Sequence, residues 1–367
     1  MADGSATNTG AGGIRHPWVE PPAEGEATEI ADGVLWMRLP LPMALDHVNV
    51  YALRDADGWT LVDTGLDTRR TRALWDRLLD GPLAGAPVAR VLLTHHHPDH
   101  VGLAGWFAER GAEIWATRTS WLMARMLRLD VQEVPDERTL LFWRRAGMDA
   151  ATYAARAGAR PFNFADCVHS IPLGFRRLSE GERVRLAGRD WTVRLGGGHA
   201  PDHATLWEKD GPLVIGGDQL LPGISPNLGV YATEPGADPV ADWIEACGRL
   251  SAFAAEDQLV LPGHKLPFTG LPLRLRQMED NHHGALKRLR GWLAERPRTA
   301  AECFPPLFRR TIGASEYGLA LVEAVAHLNH LLHAGRAERS LDGEAWLWRP
   351  APGSDAAAGG DTARRAP

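Results

Sequence analysis

The chain has 367 residues, of which 44% are hydrophobic and 23% charged, so it can fold as more than one unit around a sizeable core. Its formal net charge of −6 argues against a general binder of nucleic acid or anionic membranes. The three cysteines are far apart in sequence, which argues against a disulfide framework or a zinc ribbon and favours a reducing compartment. The chain shows neither a basic, apolar leader pattern nor 18 successive apolar residues, so we expect a cytoplasmic protein without a membrane span.

The two ends of the chain are rich in small residues and lack periodicity. We therefore predict a disordered lead-in over residues 1–25 and a disordered tail over residues 353–367. Between them, short apolar strand patterns alternate with helical ones, and this alternation is typical of an α/β layer fold. Strands are predicted at 34–39, 48–53, 59–62 and 88–93, and helices at about 67–79 and 101–110.

Residues from about 118 to 180 interrupt this alternation. Amphipathic helices are predicted at 121–127 and 139–144, and this helical insertion is either a lid over a substrate pocket or a packing elaboration. Strands resume after residue 180, and the character becomes helical again from about residue 272. The helix predicted at 317–332 and the hairpin after it indicate a small winged-helix-like module within residues 272–352.

The histidine-rich loop at 94–100 reads Thr-His-His-His-Pro-Asp-His and follows the apolar strand pattern at 88–93. Imidazole and carboxylate are ligands that suit zinc, iron or manganese. On an extended loop His95 and His97 lie on the same side, so His96 points away and is expected to pack or to hydrogen-bond instead.

Three further ligand candidates each follow a strand pattern and one or more glycines, at His199, Asp218 and His264. Glycine allows the sharp turn that such a position needs beside a metal. Two ligand sets result, with Asp218 as the bridge between them. The sets are His95, His97 and His199 for one metal, and Asp99, His100 and His264 for the other.

These elements, preceded by Leu-Val-Asp-Thr-Gly at 61–65, resemble the metallo-β-lactamase superfamily, and more closely its glyoxalase II-like hydrolase branch. The resemblance implies a four-layer αββα sandwich over residues 26–271 with the metals at one edge. It also implies two divalent ions, zinc first and iron or manganese as alternatives, and a structural role for Asp63 behind the ligands.

The C-terminal part resembles the winged-helix extension of a subgroup of that superfamily. Residues 276–350 carry 11 basic and 9 acidic side chains, a balance that does not favour nucleic-acid binding. A structural or dimerisation role is therefore expected for this part.

The predicted function is that of a dinuclear metal-dependent hydrolase, in which hydroxide shared by the metals attacks a thioester, ester or lactone carbonyl. Asp99 and Asp218 are the predicted catalytic residues, and Asp99 would also orient the nucleophile. Two alternatives stay open on the same scaffold, a metal-dependent nuclease or phosphodiesterase and an iron-dependent sulfur dioxygenase.

The expected partner is a small acyl substrate, and a homodimer is left open. His203, four residues beyond a ligand, and Asn227 and Tyr231, in the Pro/Gly-rich loop after Asp218, are the candidate substrate contacts. His47 and Asn49 could border the site from the start of a strand.

Overall fold

The computed structural model describes residues 13–353 and forms two β-sheets packed face to face. The larger sheet has seven strands in sequential order; β1 to β4 pair antiparallel, and β4 to β7 pair parallel. Its strands are β1 (Thr28–Ala31), β2 (Val34–Pro40), β3 (His47–Asp55), β4 (Gly58–Val62), β5 (Val88–Leu92), β6 (Glu113–Thr117) and β7 (Arg176–Leu178).

The smaller sheet has five strands in the order β12-β11-β10-β9-β8, and only its β11–β12 pair is parallel. Its strands are β8 (Arg183–Leu186), β9 (Arg189–Gly196), β10 (His203–Glu208), β11 (Leu213–Gly217) and β12 (Leu259–Pro262). The parallel pairs of both sheets deliver the histidine loop, Asp218 and His264 from strand ends.

Helices cover the outer faces of both sheets. The helices are α1 (Arg69–Asp80), α2 (Pro98–Val101), α3 (Ala104–Ala108), α4 (Arg118–Leu129), α5 (Glu137–Arg145), α6 (Ala150–Ala157), α7 (Pro239–Ser251), α8 (Leu271–Glu295), α9 (Phe304–Phe308) and α10 (Tyr317–His333). Several begin at a Thr or Asp whose side chain accepts a backbone N–H of the first turn, as Thr68 and Asp238 do.

Three apolar clusters fill the spaces between these layers. One lies between the sheets and draws residues from both, such as Trp36 and Trp191. The second packs the larger sheet against α1 and α3, and the third packs the smaller sheet against α7, α8 and α10. The predicted four-layer α/β sandwich is therefore confirmed.

The single helix predicted at 101–110 is wrong, because α2 ends at Val101 and α3 covers Ala104–Ala108. The interruption lies at Leu103, whose φ of −106° and ψ of 11° are not helical. A side chain at Gly102 would place its Cβ 2.3 Å from the backbone oxygen of Gly65, so only glycine allows this close packing on that loop. The backbone N–H of Leu103 donates to Thr64 Oγ1 at 3.0 Å instead of continuing a helix. Tertiary packing at this point overrides a continuous helical pattern.

The predicted insertion contains α4, α5 and α6, and helices stand at both places where amphipathic ones were predicted. At the C-terminus, α10 is followed by the hairpin β13 (Ala337–Asp342) and β14 (Ala345–Pro350). The domain boundaries themselves stay predictions.

The described residues include about half of the predicted N-terminal disordered segment but only the first residue of the predicted C-terminal tail. Residues 1–12 and 354–367 lie outside the described part of the chain. From Gly13 onward the N-terminal segment lies against the body, because Arg15 and Thr269 exchange backbone hydrogen bonds and the rings of Trp18 and Trp36 lie edge to face. Composition alone did not reveal these anchoring contacts.

Among residues 13–353, no helix combines the length and the apolar character that crossing a bilayer requires.

Candidate metal centre

The histidine loop is clamped to the end of β4 by one carboxylate. Asp63, in a left-handed backbone conformation with φ 62°, accepts the Thr94 backbone N–H at 2.9 Å and the Thr94 hydroxyl at 2.7 Å. Its Oδ2 also accepts from His100 Nδ1 at 2.8 Å. One buried anion thus fixes both ends of the loop, which agrees with the structural role expected for Asp63.

The first ligand cluster brings three imidazole nitrogens together. His97 Nδ1 lies 3.0 Å from His95 Nε2 and 3.0 Å from His199 Nε2. Burial lowers the pKa of both His95 and His97 well below the usual range of histidine. These imidazoles are therefore neutral, as coordination of a metal by histidine requires.

The second cluster combines two histidines with carboxylates. Asp99 Oδ2 lies 3.5 Å from Nε2 of both His100 and His264. Burial alone would lower the pKa of His100, but the carboxylates of Asp99 and Asp218 raise it well above its usual value. This half of the site therefore holds opposite charges close together.

Asp218 reaches both clusters from the end of β11. Its Oδ2 lies 3.2 Å from His264 Nε2, 3.5 Å from His199 Nε2 and 3.6 Å from His100 Nε2. Burial alone would raise its pKa, but His264 and His100 hold the pKa of Asp218 well below its usual range. A carboxylate in this position can bridge two cations.

Hydrogen bonds behind the clusters determine which ring nitrogen faces inward. His199 Nδ1 donates to the Asn227 backbone oxygen at 2.9 Å, and His264 Nδ1 donates to the His47 backbone oxygen at 2.7 Å. With His100 Nδ1 held by Asp63, Nε2 of all three rings is left free as a ligand.

The residues present fit a pair of divalent cations. His100 Nε2 and Asp218 Oδ1 are buried at the centre of the site and have no hydrogen-bond partner in the described chain. Buried polar atoms without partners are costly unless something else binds them. At Gly263 even a Cβ atom would lie 2.2 Å from Asp218 Oδ1, so this strand end must be glycine.

Within residues 13–353, the groups spaced closely enough to share an ion include all seven predicted ligands, and His96 is in none of them. His96 is buried, and its Nδ1 has no hydrogen-bond partner in the described chain, so packing is the role that fits it. The groups are His95, His97, His199; His95, His100, Asp218; and Asp99, His100, His264.

The candidate substrate contacts occupy three different environments. His203 is fully buried, its ring stacks on His95, and its Nε2 accepts the Asp218 backbone N–H at 3.1 Å, so it supports the ligands from behind. The Asn227 side chain turns away from the ligands and donates to Glu323 Oε2 of α10 at 2.7 Å. Tyr231 is 49% exposed and stays a candidate.

Sequence reasoning missed the part that α10 plays in supporting the site. Asn227 links ligand His199 to Glu323 through its backbone and its side chain, and it also donates to the Leu319 backbone oxygen. An acidic residue inside an apolar helix pattern was the only signal in the sequence. Burial raises the pKa of Glu323 to about 7, consistent with its enclosed position.

Comparison with known proteins agrees with this geometry. The model of the metallo-beta-lactamase superfamily matches residues 43–264. The chain belongs to this superfamily. A second model, described as the metallo-beta-lactamase-like C-terminal domain, matches residues 286–350. Superfamily members normally bind divalent metals, and the chain is a metallo-hydrolase of this superfamily.

The chain is similar to two curated relatives over most of the length of each. A probable metallo-hydrolase of Bacillus subtilis, YqjP, is 28% identical over 306 residues, which is 82% of this chain and 92% of the relative. The acyl-coenzyme A thioesterase MBLAC2 of Gallus gallus is 27% identical over 243 residues, 64% of this chain and 78% of the relative.

Two solved structures of the superfamily share the whole architecture. A beta-lactamase domain protein from Burkholderia ambifaria has 36% identity and a TM-score of 0.85, covering 92% of this chain and 98% of its own. A metallo-beta-lactamase family protein from Thermus thermophilus has 28% identity and a TM-score of 0.73, covering 88% and 99% respectively.

Proposed function

We propose that the protein is a dinuclear metal-dependent hydrolase that acts on thioesters, esters or lactones. The observation that carries this proposal is the pair of three-ligand clusters joined by Asp218, which contacts histidines of both. Histidine with carboxylate suits zinc, and iron and manganese are the alternatives that such a ligand set also accepts.

Divalent ions held at this centre would polarise a carbonyl oxygen and lower the pKa of water toward neutrality. Asp99 is 18% exposed at its side chain, whereas His100 and His264 are buried, so Asp99 is the ligand of the second cluster that borders solvent. We assign it the orientation of the attacking water and the acceptance of its proton at the carboxylate. Asp218, buried and anionic, holds the two halves of the site together.

A thioester is the substrate class that the comparisons favour. The relative from Gallus gallus is named for acyl-coenzyme A thioesterase activity, at 27% identity over 243 residues. The bridging Asp218 supports placement in the glyoxalase II-like branch rather than among antibiotic-degrading enzymes. Esters and lactones present the same carbonyl to the same site.

For the C-terminal part we propose a winged-helix-like module with a structural or dimerisation role. The contact from Asn227 to α10 supports the structural role, because it ties this module to the loop behind His199. A cytoplasmic location stays a prediction from cysteine usage.

The test is a substrate panel with matched metal conditions. Acyl-coenzyme A, acyl-glutathione and lactone substrates are offered to the protein as purified, after chelation, and after separate addition of zinc, manganese or iron. We expect hydrolysis of at least one class that chelation abolishes and one added metal restores.

Other outcomes would overturn the proposal. Phosphodiester cleavage with steep salt dependence, and no acyl hydrolysis, would indicate the nuclease alternative. One iron per chain together with oxygen consumption would indicate the sulfur dioxygenase alternative.

A further inference from the structure

A cleft of about 480 Å³ lies beside the second ligand cluster, among the N-terminal segment, β2, the start of β3 and the loops that follow β11 and β12. We call it the Arg38–Lys265 cleft. Its walls combine apolar side chains, such as Ile224 and Leu266, with Arg38, Lys265, His16 and His47. None of the described residues that line it is acidic.

Two residues that line the cleft are directly connected to His264 of the second cluster. His47 accepts from ligand His264 through its backbone oxygen at 2.7 Å, and its Nε2 accepts the Lys265 backbone N–H at 2.9 Å. Lys265 directly follows His264 in sequence. A molecule in the cleft would therefore lie next to the second cluster.

The Arg38 guanidinium is held in place by neutral groups. It donates to Asn49 Oδ1 at 3.3 Å and to the Lys265 backbone oxygen at 3.0 Å, and among the described residues it forms no ion pair. Arginines elsewhere, such as Arg72 and Arg160, pair with a carboxylate. A partly buried cation without an ion pair is costly, so an anion that binds it is stabilised; the exposed Asp46 attracts Arg38 but forms no ion pair with it.

Lys265 adds a second cation, whose charge the carboxylate of Asp46 attracts without forming an ion pair. No described residue pairs with its ammonium group, and Asp46, the acid at this end of β3, is 81% exposed at its side chain and bonds His47. The Lys265 backbone has φ 71°, a conformation that lysine rarely adopts. It is fixed there by the His47 contact and by donors from Arg38 and Asn49 to its carbonyl oxygen. Strain held by this many contacts is typical of functional positions.

We propose that the Arg38–Lys265 cleft binds an anionic group of the substrate, a phosphate or carboxylate, and so positions the scissile carbonyl at the metal centre. This inference rests on the proposed hydrolase function. The anion can belong to the thiol carrier or to the acyl chain, and the experiment below separates these sources.

The first experiment measures binding without turnover. Lys265 is one of three lysines, with Lys209 and Lys287, so amine-reactive labelling followed by peptide mapping reads each separately. The protein as purified is labelled with and without desulfo-coenzyme A, S-methylglutathione or glutarate. These probes have no free thiol to bind metal, and S-methylpantetheine serves as the neutral control.

We expect at least one anionic probe near saturation to slow Lys265 labelling roughly tenfold, because only the free protein reacts. Labelling of Lys209 and Lys287 should not change, and the neutral control should protect nothing. The anion that protects identifies the source as carrier phosphate, carrier carboxylate or acyl carboxylate. The proposal would be overturned if Lys265 were labelled as fast with each of the three anionic probes as without any probe.

The second experiment compares thioesters of one acyl group on coenzyme A, glutathione and neutral N-acetylcysteamine. Lys265→Asn suits the left-handed backbone and removes the charge, Arg38→Gln removes the other cation, and exposed Lys209→Asn is the matched control. We expect each cleft variant to reduce the preference in kcat/KM for the favoured anionic carrier about tenfold. For an anion on the acyl chain, the matched pair is glutaryl and butyryl N-acetylcysteamine.

An unchanged preference in both cleft variants would also overturn the proposal. If a variant fails to fold, the labelling of the unmodified protein decides alone. If no thioester is hydrolysed, the proposed function fails while the labelling still reports on the cleft.

Discussion

In the first ligand cluster, the rings of His95 and His199 are backed by neutral oxygens, those of Thr94 and Asn227. In the second, His100 is backed by the buried carboxylate of Asp63 and His264 by the neutral backbone oxygen of His47, and Asp99 is itself a candidate ligand. A carboxylate behind an imidazole raises its basicity as a ligand, so the second cluster is the more strongly supported electrostatically. The supports also come from different places, because Asn227 is anchored on α10 whereas Asp63 ends β4. The two halves of the site should therefore respond unequally to mutation, although Asp63 also reaches His95 through the Thr94 hydroxyl.

The largest expected effect comes from the one residue that both clusters share. Asp218→Asn removes the negative charge shared by the two clusters. Loss of a residue that only hydrogen-bonds to a metal ligand lowers activity by up to roughly 100-fold, and we expect a larger fall in the rate of hydrolysis here. Metal content per chain, measured by elemental analysis beside activity, should fall as well. Asp210→Asn, at an 81% exposed side chain, is the matched control. Full metal content and normal turnover in Asp218→Asn would show that Asp218 is needed neither for metal binding nor for hydrolysis.

Asp63→Asn should weaken the second cluster more than the first, because Asp63 contacts His100 directly but reaches His95 only through the Thr94 hydroxyl. An amide cannot accept from Thr94 and His100 as the carboxylate does, and asparagine tolerates the left-handed backbone. We expect the affinity for the second metal to fall about 10–100-fold, with a smaller loss at the first site. Titration of metal-depleted protein should then show a larger loss of affinity at one site than at the other. Equal weakening of both sites would refute the separation of the clusters.

Asn227→Ala should act on the first cluster and on stability. Glu323 and the Leu319 carbonyl would each lose a donor, and a buried group left unpaired costs about 1–3 kcal/mol. Denaturant unfolding measures this cost, and metal titration should show weakening at the first site alone. Glu323→Gln keeps an acceptor for Asn227 and is the matched variant, expected to be milder. A larger loss of stability or of first-site metal affinity in Glu323→Gln than in Asn227→Ala would contradict the proposal that α10 supports His199 through Asn227.

The smallest expected effect is on the pH dependence of the free energy of unfolding, which tests the packing of α10 against α8. His282 and His327 stack between α8 and α10, and burial lowers their pKa values to about 3 and about 4. The titratable and charged groups that face the pair are His283, Arg288, His330 and Asp238. Since the unfolded chain binds more protons between these values and 6.5, the free energy of unfolding should fall as pH drops below about 6.5.

Replacing His282 by Phe should reduce that slope by about 1.4 kcal/mol per pH unit between pH 6 and 4.5. Denaturant unfolding across this range measures the slope, and His283→Phe, at an exposed position on the same helix, is the control. An unchanged slope in His282→Phe would mean that the pair does not stay neutral.

The α/β class and the candidate metal ligands could be predicted from the sequence because they depend on local patterns. Strand–glycine–ligand elements at His199, Asp218 and His264 follow from periodicity and residue chemistry, and the structure brings these side chains together. The orientation of Asn227 could not be predicted, because it depends on a partner 96 residues away in α10. Nor could the Arg38–Lys265 cleft, which residues near 20, 40, 224 and 265 assemble together.

The sequence by itself indicated the α/β class and the seven candidate ligands, because apolar periodicity and ligand chemistry lie in short segments, and the family resemblance of those segments implied the four-layer arrangement. The tertiary structure alone decided which carboxylate or carbonyl supports the rings of His100, His199 and His264, and that Leu103 interrupts the helix after the histidine loop. It also decided that Arg38 and Lys265 lie side by side with no ion pair among the described residues and only the longer-range attraction of exposed Asp46. The reason is physical, since hydrogen bonds and charge balance depend on distances between groups that the chain keeps far apart until it folds.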